Sequence, residues 1–297
     1  MGRSDRRLNQ PGSPRLAAPD QNAAMTTSIA DRVTIDVADG IADVRLNRPD
    51  KRNALDRAMF SAIAEAGEHV KSLPGVRVVV LSGEGTSFCA GLDLAMFGTL
   101  ADGGGDADDV RGNPGALNAN GITHLGQQTA WVWQEVGVPV IAAVHGHALG
   151  GGLQIALGAD IRYVHPDTKL SVRELYWGLV PDMTGTLFLS RLVRPDVAKE
   201  LVFTARIFDG TEAAALGIAT HLSDDPRKDA MAMAVEIANR SPDAVRGAKR
   251  LLNRLAIAEA GDQFAAEREA IAAVIGTPNQ VEAVTAHIER RPPAFTD

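Results

Sequence analysis

The sequence predicts an α/β fold that is followed by a helical C-terminal region. Three observations carry this prediction. Strand and helix patterns alternate in the first part of the chain, a continuous apolar run at 140–144 precedes a glycine triplet and a buried helix, and helical patterns dominate from Pro195 onward. Strands that alternate with helices are typical of a sheet that helices cover.

The first elements form the series strand, strand, helix, strand. Residues 33–37 alternate between apolar and polar, and a second stretch at 41–46 follows a short Asp-Gly turn, which together indicate a hairpin. Asp56 can cap a helix whose apolar residues recur every three or four positions. A Pro-Gly pair ends this helix, and residues 76–81, which are apolar apart from Arg77, predict a buried strand.

The glycine triplet Gly150–Gly152 lies between the apolar run and the buried helix. Without side chains the backbone can touch a ligand directly. The first N–H groups of the helix face the same place, where they would stabilise an anion or an oxygen that becomes anionic. The alternative is close helix–strand packing without a ligand. A dinucleotide-binding fingerprint is excluded, because Ala148 and Ile155 stand where it requires glycine.

A second glycine-containing turn covers residues 83–94. Its Cys89 suggests a nucleophile, but no base is identifiable beside it, which favours a small apolar filler. Residues 101–121 are rich in Gly, Asp and Asn and predict a long surface loop that can act as a lid. A helix is expected over 124–135.

The rest of the chain predicts short strands and then helices. The strands cover 161–164 and 169–172, and a helix follows at 187–193. From Pro195 onward six amphipathic helices are expected: 196–204, 211–216, 226–239, 244–258, 263–275 and 280–290. Their apolar surface indicates contacts with neighbouring subunits.

Composition excludes several classes of protein. A formal net charge of -7 argues against a nucleic-acid binder. No apolar run approaches the length of a membrane span. Cys89 is the only cysteine, so no internal disulfide and no thiolate cluster forms. No His, Asp or Glu cluster has the spacing of metal ligands. We expect a cytoplasmic protein without metal, nucleic acid or membrane partners.

Residues 1–27 predict a disordered extension, since they are rich in Arg, Pro, Asn and Gln and show no periodicity. Their arginines suggest a transit peptide, but Asp5, Asp20 and the lack of an apolar face oppose this. Alternatively, the folded protein begins at Met25. The remaining chain is divided into a core over 28–194 and a helical region over 195–297.

Several segments resemble the crotonase (enoyl-CoA hydratase/isomerase) superfamily. They are the stretches 46–55, 88–94, 146–152 and 173–181, and the terminal 290–295. The resemblance runs from about residue 33 to the last residues. It implies a spiral of ββα repeats that binds acyl-CoA, with a C-terminal all-helical trimerisation region, assembled into a homo-oligomer that is a trimer or a dimer of trimers.

The resemblance also implies a shared chemistry on acyl-CoA thioesters. The thioester oxygen would lie between the backbone N–H groups of Leu92 and Gly151, an oxyanion hole that stabilises the enolate formed by removal of an α or γ proton. Coenzyme A is part of the substrate, and no separate cofactor is expected. The residues expected along the coenzyme and the substrate are Arg52, Ala54, Ala90, Asp93, Leu94 and Gly150.

Family hydratases use two glutamates as proton carriers, and this chain keeps one. Gln154 stands at the first position, where an amide cannot accept a proton. Its alternative role is an N3 residue that helps to cap its own helix. Glu174 occupies the second position, where a partly desolvated carboxylate can serve as base or acid. The alternative for Glu174 is a surface acid at a strand end.

Asp182 gives a partial resemblance to the dienoyl-CoA isomerase branch. That branch has acids at the positions of Glu174 and Asp182, but it also has an aspartate at the position of Gln154. Asp182 can instead cap a helix that begins near Thr184. We expect proton transfer by Glu174 on an unsaturated acyl-CoA, with isomerisation ahead of hydration.

Three alternatives stay open at this point. They are a 2-enoyl-CoA hydratase, a non-catalytic acyl-CoA-binding protein and a serine hydrolase. The hydrolase lacks the G-x-S-x-G motif, and no serine partner is evident for His145 or His147. These two histidines are expected to pack against the site rather than to touch the ligand.

Overall fold

A mixed sheet organises the part of the chain that the computed structural model describes, which comprises residues 25–96, 117–119 and 121–295. Its first three strands are antiparallel, and each later strand pairs in parallel with its neighbour. In spatial order the strands are β1 (Met25–Ile29), β2 (Val33–Ala38), β3 (Ile41–Leu46), β4 (Val78–Gly83), β5 (Val140–Val144), β7 (Ile161–Val164) and β9 (His221–Leu222). A separate parallel pair consists of β6 (His147–Leu149) and β8 (Lys169–Ser171).

Helices connect and cover these strands. In chain order they are α1 (Arg57–Ser72), α2 (Leu125–Glu135), α3 (Gly151–Leu157), α4 (Gly185–Leu192), α5 (Pro195–Thr204), α6 (Gly210–Leu216), α7 (Pro226–Ala238), α8 (Pro242–Val274) and α9 (Pro278–Ile288). Short 3-10 helices cover Pro49–Lys51 and Glu174–Trp177. No described helix combines the length and the apolar character that crossing a bilayer requires.

The core lies on both faces of the sheet. Every residue of β5 is buried, as the continuous apolar run predicts. One face packs on α1 and α2, which approach so closely that a Cβ on Gly67 would lie 2.3 Å from Val132 Cγ2. The other face packs on the alanines of α7. The predicted α/β fold with a C-terminal helical region is therefore confirmed.

Local signals place α1 as the sequence predicts. Asp56 is its N-cap, and the carboxylate accepts the Met59 N–H at 2.8 Å and the Arg32 guanidinium at 2.9 Å. The buried residues of α1 recur with helical spacing and face the sheet. The helix is thus fixed at its start by a cap and along its length by burial of one face.

Two boundaries differ from the predictions. Residues 25–27 belong to β1, which pairs with β2, so part of the predicted extension lies in the sheet. The two helices expected over 244–258 and 263–275 are one helix, α8. The single Gly261 between them costs about 1 kcal/mol, which does not break a long helix that packs through Phe264 and Ile271.

Two other predictions fall outside the described residues. The N-terminal segment 1–24 is one, and most of the predicted loop over 101–121 is the other. Beyond α5 the described strand β9 is only two residues long and lies close to the short link expected near Ile218. The C-terminal third is therefore helical in its described part.

Candidate active site

A cavity of about 490 Å³ lies where the two glycine turns meet. Leu55 forms a bridge with Leu92, and Cys89 forms one with Ala148, so the two turns and the 50–55 loop are joined by backbone pairing. The cavity brings together every predicted site residue except Gln154: Arg52, Ala54, Ala90, Leu92, Asp93, Leu94, Gly150, Gly151, Glu174 and Asp182.

Two backbone N–H groups in this cavity have no protein partner in the described part of the chain. In the bridge with Leu92, Leu55 donates to the Gly91 carbonyl at 2.8 Å and accepts from the Asp93 N–H at 3.0 Å. The Leu92 N–H therefore points away from Leu55. Gly151 is the first residue of α3, where no preceding turn offers a carbonyl. Both amides are available to an oxygen in the cavity.

Each glycine of the triplet meets a different neighbour. Gly150 has φ +52°, which favours glycine, and a Cβ there would lie 3.2 Å from Glu174 Oε1. A Cβ on Gly151 would lie 2.8 Å from Leu55 Cδ1, and one on Gly152 would lie 2.3 Å from the Cys89 carbonyl oxygen. The triplet therefore serves close packing at Gly152 and leaves a bare backbone at the cavity wall.

Glu174 begins the 3-10 helix and is held by Gln154. It is buried, and its Oε1 accepts the Gln154 Nε2 at 2.6 Å. Gln154 Oε1 accepts the Met183 N–H at 2.9 Å and the Gly185 N–H at 2.8 Å. Since the oxygen of the amide receives two N–H groups, its nitrogen must face Glu174. The orientation of Gln154 is fixed by the backbone.

The predicted capping role of Gln154 is wrong in one respect. Gln154 is the fourth residue of α3, and its side chain binds the start of α4 rather than the start of its own helix. Gly185 permits this approach, because a Cβ there would lie 2.6 Å from Gln154 Oε1. The amide therefore links the glycine turn to the segment that carries Asp182.

Asp182 is buried and lines the cavity. The N-cap of α4 is Thr184, with φ +70°, rather than Asp182. The N–H groups at the start of α4 donate to two other side chains: those of Met183 and Gly185 to Gln154, and that of Thr184 to Glu267 at 3.0 Å. Asp182 and Glu174 thus line the same cavity.

A family model described as enoyl-CoA hydratase/isomerase matches residues 36–297. The chain belongs to this family. The solved structures similar to it include an enoyl-CoA hydratase/isomerase from Mycobacterium paratuberculosis, with a TM-score of 0.76 and 27% identity over 86% of this chain and 98% of that one. The predicted crotonase-like fold is therefore confirmed, and the chain is an acyl-CoA-processing member of the enoyl-CoA hydratase/isomerase family.

Curated relatives carry hydratase names. The chain is 31% identical to the mitochondrial methylglutaconyl-CoA hydratase of Mus musculus, over 86% of this chain and 79% of the relative. It is 32% identical to a putative enoyl-CoA hydratase of Thermus thermophilus, over 86% of this chain and 97% of the relative. The family is thus shown along nearly the whole described chain.

Beside the residues that are expected to bind the coenzyme, the cavity of this hydratase/isomerase family member contains an ion pair that sequence analysis missed. Arg48 Nη1 lies 2.6 Å from Asp93 Oδ2. Burial acts to raise the pKa of Asp93, but the Ala95 N–H and Arg48 outweigh it and lower that pKa. Arg52 has φ +51°, and its carbonyl accepts the Ala90 N–H at 3.0 Å. Backbone pairing therefore holds the expected coenzyme-binding residues together.

Part of the cavity lining is an aromatic cluster that includes a residue from α9. Tyr176 Oη lies 2.8 Å from His287 Nδ1, and the Trp177 and His287 rings pack edge to face at 4.5 Å. The guanidinium of Arg173 lies 3.7 Å from the centre of the Tyr176 ring. His287 gave no sequence signal, because a lone histidine far along the chain has no pattern.

Other predicted residues lie outside the cavity. His145 Nε2 is 3.0 Å from the Gly85 carbonyl, and His147 Nδ1 is 2.9 Å from Ser87 Oγ. Burial, with Arg52 and Lys169, lowers the pKa of His147. Cys89 is fully buried, and burial raises the pKa of its thiol to about 12, which suits a packing role. The described residues contain no His, Cys, Asp or Glu cluster that could hold a metal ion.

Glu267 is a buried carboxyl behind the cavity that sequence analysis missed. It accepts the Thr184 N–H, the Thr186 hydroxyl at 2.5 Å and the Gln127 Nε2 at 3.1 Å. Burial raises the pKa of Glu267 to about 7, and the charge of Asp182 acts in the same direction. One sequence signal could have found Glu267, since helical periodicity places this acid on the apolar face of α8.

Proposed function

We propose that this enoyl-CoA hydratase/isomerase family member moves a proton on an unsaturated acyl-CoA with Glu174, and that a double-bond shift is the favoured reaction. The observation that carries the proposal is the direct hydrogen bond of 2.6 Å between Gln154 Nε2 and Glu174 Oε1. The amide nitrogen donates a hydrogen bond to the carboxylate, and an amide cannot take a proton from a substrate. Glu174 is therefore the base beside the oxyanion hole.

Hydration requires a water molecule that two acid–base groups activate. In this chain the Gln154 amide donates a hydrogen bond to the Glu174 carboxylate, so only one of the two groups can take up or release a proton. The amide oxygen is already occupied by two backbone N–H groups, so it offers no further acceptor in that direction. These contacts disfavour hydration, whereas a double-bond shift needs only one group that removes and returns a proton.

The proposed reaction begins with the thioester oxygen bound by the Leu92 and Gly151 N–H groups. Glu174 removes a proton from the acyl chain: the C–H bond breaks, an O–H bond forms on the carboxyl group, and the electron pair moves into the enolate. Two preset donors in a buried site stabilise this oxyanion. The proton then returns at another carbon, and the thioester carbonyl forms again with the double bond shifted.

Asp182 gives this scheme a second carboxyl group. Glu174 and Asp182 line the same cavity, and both are nearly excluded from solvent. If the substrate is a dienoyl-CoA, the two carbons that lose and gain the proton lie far apart along the chain. One carboxyl group would remove the proton and the other would supply one, so we propose Asp182 as the second proton carrier.

The test offers 3-enoyl-, 2-enoyl- and 2,5-dienoyl-CoA to the protein in deuterated water. We expect a double-bond shift with deuterium uptake, and we expect Glu174→Gln to lower its rate by roughly 100-fold or more. Glu65→Gln, an exposed acid on α1, serves as the matched control. Fast hydration of 2-enoyl-CoA that survives Glu174→Gln contradicts the proposal.

A second candidate function is hydration of a 2-enoyl-CoA. The names of the relatives favour it, since both the mouse and the Thermus thermophilus proteins are called hydratases. The same experiment separates the two candidates, because hydration consumes the enoyl double bond whereas isomerisation moves it. A 3-hydroxyacyl-CoA product that depends on Glu174 would favour this second candidate.

We also propose a homo-oligomer, either a trimer or a dimer of trimers. The support is a set of large apolar side chains that the single chain leaves exposed in its helical region: Phe203, Leu251, Leu252 and Ile288. Contact with other copies would remove this apolar area from water. The assembly is tested by the molar mass of the protein in solution.

A further inference from the structure

Glu267 occupies an unusual place on α8. The buried residues around it on this helix are apolar, namely Ala260, Phe264 and Ile271, and Glu267 itself is only 3% exposed. Phe264 packs edge to face on Trp131 at 5.0 Å, which fixes α8 against α2. A carboxyl group in such a row is costly unless donors surround it.

Three donors converge on this carboxyl group. The Thr184 N–H and the Gln127 Nε2 donate to Oε2, at 3.0 and 3.1 Å. The Thr186 hydroxyl lies 2.5 Å from Oε1 and itself accepts the Gln263 Nε2 at 2.7 Å. The hydroxyl proton of Thr186 therefore faces Glu267. Gln263 and Glu267, which lie one helical turn apart on α8, therefore both bind the start of α4.

The same turn is held from the opposite side by the catalytic centre. The N–H groups of Met183 and Gly185 donate to Gln154 Oε1, and Gln154 Nε2 donates to Glu174. Successive N–H groups of the turn thus alternate between Gln154 and Glu267. Asp182 immediately precedes this turn and lines the cavity. Its distance from Glu174 therefore depends on both anchors.

We infer that Glu267 is a positioning residue, which sets the place of Asp182 relative to Glu174 by holding the turn over 183–186 from α8. The inference rests on the proposed function, since it assigns Asp182 a role in proton transfer. Glu267 does not line the cavity and acts through the Thr184 and Thr186 contacts. Removing its side chain would release one of the two anchors of the turn.

The experiment is a double-mutant cycle of Glu267→Ala and Asp182→Asn on the full-length protein. The rate of the double-bond shift, the KM for acyl-CoA and the melting temperature are measured together. We expect each single change to lower kcat by roughly tenfold or more, with KM changed by less than about threefold. Residues that act through one another are non-additive, so the double variant should be no slower than Asp182→Asn.

Two further variants separate positioning from a general loss of structure. Glu267→Gln keeps an oxygen for the Thr184 N–H and a group of similar shape beside Thr186, and we expect it to restore most of the kcat that Glu267→Ala loses. Glu269→Gln changes an exposed acid on the same helix and should match the wild type. Multiplicative effects of Glu267→Ala and Asp182→Asn would overturn the inference. So would a lowered melting temperature with kcat unchanged.

Failure of the proposed function gives a different result. If the wild type takes up no deuterium from solvent into any of the three acyl-CoA substrates, the proposed proton transfer is wrong, and the role assigned to Glu267 falls with it. If the wild type and Glu269→Gln exchange normally and Glu267→Ala does so too, only the inference about Glu267 is overturned.

Discussion

At the scale of single residues, the side-chain amide of Gln154 is held in one orientation beside the acid Glu174. Its oxygen accepts two N–H groups from the start of α4, which forces its nitrogen towards Glu174. A glutamate at this position would place two carboxylates in contact, and like charges so close cannot both be ionised without a large shift in pKa. An amide at this position avoids that repulsion and donates a hydrogen bond to Glu174.

Replacing Gln154 with glutamate provides the first prediction at this scale. We expect Gln154→Glu to increase 2-enoyl-CoA hydration by roughly 100-fold, because a second acid–base group becomes available beside Glu174. Loss of the enoyl absorbance measures the rate. Gln154→Ala removes the amide without adding an acid, so it should show no such gain. Unchanged hydration in Gln154→Glu would contradict the role that we assign to the amide.

Glu267 gives a prediction about stability and pH. Burial raises its folded-state pKa to about 7 from an ordinary value of 4.5, so the folded protein binds this proton more tightly than the unfolded chain. Its contribution to stability is full below about pH 4.5 and is lost as pH rises through about 7. The neighbouring charges are those of Asp182 across the turn and Arg268 on the same helix.

The measurement compares melting temperatures of the wild type and Glu267→Gln between pH 5 and 8. Glutamine does not titrate, so the wild type should lose up to about 3 kcal/mol relative to the variant over this range. Glu269→Gln, which changes an exposed acid, should follow the wild type. Parallel pH curves for the wild type and Glu267→Gln would show that this carboxyl group keeps an ordinary pKa.

At the scale of elements, the glycine turn that joins β6 to α3 packs closely against its neighbours. Gly152 faces the Cys89 carbonyl, where the other glycine turn passes, and Gly150 and Gly151 form the cavity wall. The bridges between Leu55 and Leu92 and between Cys89 and Ala148 hold the two turns in register. The close packing of Gly152 therefore helps to fix the position of the Gly151 N–H group at the cavity wall.

Gly152→Ala tests this close contact. Its Cβ would lie 2.3 Å from the Cys89 carbonyl oxygen, so the turns must separate, and we expect a loss of about 1–3 kcal/mol in the free energy of unfolding. Gly247→Ala in α8 is the matched control. No atom would approach its new Cβ within 4 Å, and we expect a gain of about 1 kcal/mol. Denaturant unfolding measures both, and equal effects would contradict the packing argument.

At the scale of the whole molecule, the exposed apolar residues of the helical region bear on assembly. Leu252 is 73% exposed in the single chain, and Leu251 beside it is 67% exposed. We expect light scattering to give the wild type the molar mass of three or six chains. We expect Leu252→Glu to have a lower molar mass, because a charge at this position opposes the apolar contact. Arg250→Glu replaces a positive charge with a negative one at a polar exposed position and should leave the mass unchanged. Equal masses for both variants and the wild type would oppose this interface.

Much of the fold was predictable because its signals are local. Alternating residues marked β2, the continuous apolar run marked β5, and Asp56 marked the start of α1. The continuity of α8 through Gly261 was not predictable. A glycine in a helical pattern gives the same local signal whether the helix ends there or continues because distant side chains pack against it. Strand β1 was missed altogether, because residues 25–29 show no alternation of apolar and polar residues and only their pairing with β2 makes them a strand.

The sequence by itself determined the α/β class, the family resemblance and the presence of Gln154 where an acid would serve hydration. Motif and composition carry such information, because each depends on residue type and spacing along the chain. Only the tertiary structure decided which helix Gln154 caps, that it touches Glu174, and that Glu267 and His287 reach the site from distant helices. These contacts depend on packing between elements far apart in sequence, which no local pattern encodes.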